Sequence, residues 1–85
     1  MKQFEYVITD PVGIHARPAG LLVKKAKQHE SKIMVRKGDK SADATRMMSV
    51  MGLGAKCGDT LTVTIEGADE DAAAEAMQAF FQANL

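Results

Sequence analysis

The chain has one cysteine, Cys57, no tryptophan, two prolines, four aromatic residues, and no uncharged run longer than the ten residues Ala76–Leu85. A lone cysteine cannot close an internal disulfide, and beside two histidines it makes a poor stock of zinc ligands. Cys57 reads as a small apolar residue near a turn, and no metal or other cofactor is expected. Ten uncharged residues fall well short of the roughly 18–20 that a membrane-spanning helix needs, so no membrane insertion is expected. The opening Met1–Ile8 holds no apolar stretch ahead of Glu5, which speaks against a secretory signal and makes the cytoplasm the expected compartment. There is no Gly-x-x-x-x-Gly-Lys-Ser/Thr loop, and Gly52, Gly54 and Gly58 have the wrong spacing for a dinucleotide fingerprint. With so few aromatics and a pI near 6.7, a nucleic-acid surface is poorly supported as well.

What is present fits one domain spanning residues 1–85, with 46% hydrophobic and 26% charged residues. The net charge is zero, but its layout is uneven. Residues 1–56 carry all 11 basic side chains against 5 acidic ones, whereas residues 57–85 carry 6 acidic side chains and no basic one. Such a dipolar layout suits docking to an acidic partner through the N-terminal two-thirds, although ordinary solvated faces explain the count equally well.

Phe4, Tyr6 and Ile8 alternate with Gln3, Glu5 and Val7, the period of a half-buried strand, which Asp10-Pro11-Val12-Gly13 then stops. From Ala16 to about Gln28, Ala19, Leu22, Val23 and Ala26 mark one face of a helix, with Lys24, Lys25 and Lys27 outside and His29 as a surface residue at its C-terminal end. Ile33 and Val35, the turn residues Lys37-Gly38-Asp39-Lys40 and a segment through Ala44 read as a hairpin. A short helix from about Arg46 to Leu53 precedes a strand, Thr60–Glu66, with Leu61, Val63 and Ile65 on one face and three threonines on the other. Asp69 is a good N-cap for a last helix whose apolar stripe is Ala73, Ala76, Met77 and Phe80. Strands apolar on one face, with amphipathic helices to cover it, predict a two-layer α+β sandwich with mostly antiparallel pairing.

The stretch richest in chemistry is Gly13-Ile14-His15-Ala16-Arg17-Pro18-Ala19. Pro18 lacks an amide hydrogen that the first helical turn would leave unpaired anyway, so it fixes the helix start close to His15. The amides of Ala16 and Arg17 then point outward at the positive end of the helix dipole, and Arg17 adds a guanidinium suited to phosphate oxygens. The same dipole favours the neutral imidazole, whose ring nitrogen can attack phosphorus. On spacing alone, a capping histidine and a surface arginine explain these residues too. In the second helix Met47, Met48, Val50 and Met51 are more apolar positions than one face of two turns can bury, so some methionines should face solvent and form an adaptable docking surface. A methionine-rich core is the ordinary alternative. Arg46, a cation at the positive end of that helix, opposes the dipole and makes sense as a basic rim for an acidic partner.

Gly13-Ile14-His15-Ala16-Arg17-Pro18-Ala19, Ser49-Val50-Met51-Gly52-Leu53-Gly54 and Glu66-Gly67-Ala68-Asp69-Glu70 together closely resemble the histidine-containing phosphocarrier (HPr) family of the bacterial sugar phosphotransferase system, over essentially the whole chain. The resemblance implies an open-faced β-sandwich, a four-stranded antiparallel sheet with three helices packed on one face. It implies a carrier rather than an enzyme: His15, phosphorylated on Nδ1, takes a phosphoryl group from phosphorylated enzyme I, with phosphoenolpyruvate as source, and passes it to sugar-specific IIA components. Ala16 and Arg17 would hold the phosphate. Gly20, Lys24, Arg46, Met47, Met48 and Met51 would dock the partners, which also include transcriptional or metabolic regulators. A carrier that shows one face to successive partners is expected to be a monomer.

Two positions depart from the family pattern. Arg46 stands where many low-GC Gram-positive members carry a regulatory serine, and neither Thr45 nor Ser49 matches that motif, so serine-kinase signalling at position 46 is excluded. Gly20 replaces the usual helix former. A different class of function, a non-catalytic regulatory module that binds proteins through the methionine patch and leaves His15 idle, would show binding without phosphoryl uptake.

Overall fold

The computed structural model describes all residues, Met1–Leu85. In chain order the elements are β1 (Lys2–Val7), α1 (Ala16–Ala26), β2 (Lys32–Lys37), β3 (Lys40–Asp43), α2 (Met47–Gly52), β4 (Thr60–Glu66) and α3 (Glu70–Asn84). Period-two alternation sends Leu61, Val63 and Ile65 of β4 to one face, where all three are fully buried. Their cross-strand partners are apolar in the same register, Tyr6 opposite Leu61, Phe4 and Val35 opposite Val63 and Ile33 opposite Ile65, with Lys2 at the sheet edge as the one exception. The sheet is antiparallel throughout, in the order β1-β4-β2-β3, so β4 is paired on both sides.

All three helices contribute to one core of 20 buried residues against that face, which makes the molecule the open-faced α+β sandwich that the alternation predicts. Phe81 of α3 is its aromatic centre, with the rings of Phe4 and Tyr6 edge-on at 5.7 and 5.5 Å. Truncating Phe81 to alanine should cost about 3–5 kcal/mol. No helix is long and apolar enough to cross a membrane.

Several local expectations are corrected. The stripe of α3 is Ala73, Ala74, Met77 and Phe81, with Ala76 and Phe80 half-buried at its edge, so the helix is rotated from the reading that chose Phe80. Val23 is likewise only half-buried on α1, which ends at Ala26. Ile8 lies beyond β1 but keeps its pairing, donating its amide to Asp59 O and accepting from Gly58 N. Thr62 sits on the open face yet is only 9% exposed, because Glu5 and Arg36 flank it on the neighbouring strands. The ladder of β3 ends at Asp43, one residue before Ala44.

His29 is not a solvated end-cap. Its Nδ1 lies 3.3 Å from Asp69 Oδ2, and its Nε2 is buried with no hydrogen-bond partner. Asp69 occupies the N-cap of α3, but its carboxylate turns away from the helix and accepts hydrogen bonds from the Ser31 hydroxyl, the Ser31 amide at 2.8 Å and the Glu30 amide at 3.1 Å. The Ser31 hydroxyl is the main reason that this carboxyl is held down to about 2. Gly67 completes the junction, since a side-chain carbon there would collide with Ser31 Cα at 2.6 Å.

Candidate functional site

His15 is the N-cap of α1 in extended conformation, φ −110° and ψ −174°, and its ring makes no capping hydrogen bond. The first helical bond runs from Ala19 N to His15 O, 2.9 Å, and the amides of Ala16 and Arg17 bond to nothing in the chain. Ala16 and Arg17 are both exposed, His15 is half-buried, and Pro18 is buried beneath them. This helix start leaves the imidazole without a capping bond and two N–H groups open, an arrangement that can accept an anion.

The loop that presents His15 is held from below. Gly13 adopts φ +80°, and any side chain there would run into the Ala55 carbonyl oxygen; Ile14 N donates to that same oxygen at 3.0 Å. The Ala55 segment is fixed in turn by Lys37, whose Nζ reaches Gly54 O at 3.1 Å, Leu53 O at 3.4 Å and Asp59 Oδ2 at 3.3 Å. Its ammonium thus satisfies carbonyls at the negative end of α2. Asp59 accepts the Lys56 amide at 2.8 Å, the chief cause of its lowered carboxyl pKa, with Lys37 adding to it. The local pattern marks Lys37 only as a turn residue, since nothing in it says that a strand-end lysine reaches a loop sixteen residues on.

A second support fixes the start of α2. Asp43 Oδ1 accepts from the Thr45 hydroxyl at 2.6 Å and the Thr45 amide at 2.9 Å, which lowers the Asp43 carboxyl, and Arg46 N donates to Asp43 O at 3.0 Å. Arg46 is thereby held as the exposed N-cap of α2, φ −117° and ψ 110°.

The expected docking residues fall on two adjoining helices. Arg17, Gly20 and Lys24 share one face of α1 by their spacing. Gly20 meets α2 there, since a carbon added to it would lie 3.9 Å from the Met47 side chain. Met47 is half-buried against the core, whereas Met48 and Met51 are 80% and 37% exposed. Thus the cluster is divided: Met47 anchors the helix, and Met48 and Met51 face outward. Val12 and Leu21 are further exposed apolar residues, outside the expected docking set. Leu21 could have been found, because it lies about 100° around the helix from the buried Leu22.

The family model described as the PTS HPr component phosphorylation site matches residues 2–83. The chain belongs to the HPr family. Its similarity to the phosphocarrier protein HPr of Lysinibacillus sphaericus is 47% identity over 91% of this chain and 88% of that one. The crystal structure of an HPr from Thermoanaerobacter tengcongensis superposes with a TM-score of 0.93 at 34% identity, covering 99% and 94% of the two chains. A dimeric HPr crystal structure from the same organism gives a TM-score of 0.77 at 35% identity, with 98% and 95% covered. As an HPr-family member the chain is a phosphocarrier of the phosphotransferase system rather than an enzyme.

Proposed function

We propose that His15 is the phosphoryl acceptor of this carrier, that Arg17 and the amides of Ala16 and Arg17 hold the transferred group, and that residues 1–85 act as one phosphocarrier domain in the cytoplasm. The observation that carries the reading is the absence of any capping bond from the His15 ring beside two unbonded amides. An imidazole nitrogen lone pair forms the new N–P bond as the donor's bond to phosphorus breaks, so the group moves without a proton changing hands. The product is a phosphoryl group of charge about −2 on a ring that still holds its other N–H proton, net about −1, until that proton leaves to solvent; the helix end and Arg17 counter the phosphoryl oxygens. Phosphorylated enzyme I, charged by phosphoenolpyruvate, is the donor and sugar-specific IIA components are the acceptors; transcriptional or metabolic regulators would use the same face.

Gly20, Lys24, Arg46, Met47, Met48 and Met51 make up the docking surface, apolar at Met48 and Met51 with Arg17, Lys24 and Arg46 as its basic residues. Acidic partners suit such a rim, and the partner proteins complete each transfer site. The carrier acts as a monomer, so that this face stays open, and light scattering in solution tests that against the dimers known among its relatives.

The test is incubation with enzyme I and labelled phosphoenolpyruvate. Wild type should take up one acid-labile, alkali-stable phosphoryl group, and His15→Ala none. Label retained in His15→Ala would refute the assignment. Tight binding of enzyme I without any phosphoryl uptake would favour the non-catalytic binding module instead.

A further inference from the structure

Half of the six methionines of the chain lie within the six residues of α2, and they differ sharply in access. Met48 is 80% exposed, Met51 37%, and Met47 is half-buried, whereas Met77 in the core is 0% exposed. Of these four only Met48 and Met51 are exposed, and both belong to the surface proposed above for docking.

We propose that Met48, and after it Met51, are sites of reversible oxidation by peroxide, and that their sulfoxides switch off docking of phosphotransfer partners. The inference rests on the docking role assigned to that surface. In the reaction a sulfur lone pair attacks one oxygen of hydrogen peroxide. The S–O bond forms as the O–O bond breaks, water leaves with both peroxide protons, sulfur is oxidised by two electrons and the peroxide reduced by two. The product replaces a flexible apolar side chain by a polar one with a strong acceptor oxygen. A partner surface that buries an apolar side chain then has to strip water from an S=O group and leave it unpaired. Solvent access sets the order of attack, so Met77 and the fold it supports are spared while the docking face is altered.

The chain has one competing thiol, the exposed Cys57, and one competing exposed thioether, Met1. The experiment is therefore run in the Cys57→Ser background, with Met1 oxidation common to all samples. Protein is treated with hydrogen peroxide until peptide mass spectrometry shows Met48 converted. Phosphoryl transfer from enzyme I is then measured before treatment, after it, and after incubation with methionine sulfoxide reductases. The same series is run on the additional Met48→Leu, Met51→Leu double variant, each protein being compared with its own untreated rate.

Oxidation should lower kcat/KM about tenfold, equivalent to about 1.4 kcal/mol, with an unchanged thermal midpoint, and the reductases should restore it. The leucine variant should lose less than twofold. Unaltered transfer after full Met48 conversion would overturn the proposal, and so would an equal loss in the leucine variant or oxidation of Met77 ahead of Met48. If untreated wild type took up no phosphoryl group at all, the carrier reading itself would fall, and this switch with it.

Discussion

His15 and His29 stand at opposite ends of α1, and their surroundings are reversed. At the C-terminal end the chain satisfies itself: Gln28 N and His29 N return to the carbonyls of Lys25 and Ala26, and the His29 ring is 16% exposed against Asp69. At the N-terminal end the amides of Ala16 and Arg17 are left open and the ring of His15 is uncommitted. Both ends face the same shortage of backbone partners. Where the protein meets that shortage internally, the histidine is part of the architecture; where it does not, the unmet donors are available to a ligand.

Five substitutions sharpen that contrast. The largest effect is expected at His15: His15→Ala should abolish phosphoryl uptake while leaving the melting temperature unchanged, whereas His29→Ala should lower the melting temperature and still accept the full stoichiometric label. Equal uptake by the two variants would dissolve the distinction. Arg17→Ala should slow transfer from enzyme I by about 10²-fold, the loss typical of one charged or dipolar contact to a developing anion, with its circular dichroism unaltered. Normal stopped-flow kinetics would remove Arg17 from the site.

The structural end of the helix should announce itself in acid. The Asp69 carboxyl is lowered to about 2 by Ser31, with the Glu30 and Ser31 amides and His29 assisting, against about 3.9 in an unfolded chain. Protons therefore bind the unfolded form more readily, so the contribution of this carboxylate is complete above about pH 4 and drains away as pH falls toward 2. Asp69→Asn should lower the melting temperature at pH 7 and flatten its decline between pH 4 and pH 2, with phosphoryl uptake intact. Melting curves at four pH values between 7 and 2 test this; parallel declines for the two proteins would contradict it. The smallest effect lies between the two ends: Gly20→Ala should stabilise the fold by up to about 1 kcal/mol, because the added methyl would touch Met47 at 3.9 Å without a clash. An unchanged or lower denaturation midpoint would mean that docking α1 against α2 requires glycine.

Elements whose pattern is carried by their own residues were legible in the sequence. Leu61, Val63 and Ile65 name their face without help, and Pro18 places the start of α1 at His15. The misreadings occur where a choice between neighbours is settled by distant chain. Phe80 and Phe81 are equally apolar, and only Phe4 and Tyr6, more than seventy residues away, decide which one is the core residue. Asp69 has every local qualification of an N-cap, yet the Glu30 and Ser31 amides and the Ser31 hydroxyl compete for its carboxylate and win. The candidate site was readable for the opposite reason: His15, Ala16 and Arg17 are consecutive, so a single helix start carries all three. Its supports, Lys37 at the end of β2 and Ala55 in the loop after α2, were not, because local periodicity does not describe a contact between two distant segments.

The pairing order has a consequence for biosynthesis. Strand β1 joins the sheet only through β4, Lys2 lying opposite Ile65. A nascent chain emerging from the ribosome can form α1 and the β2–β3 hairpin early, but its first strand must wait unpaired until residue 66 has cleared the exit tunnel. Completion of the sheet thus waits for β4, and the long loop it closes makes that step the slow one. During that interval Phe4 and Tyr6 remain exposed on an unpaired segment, the state most vulnerable to aggregation and to chaperone capture.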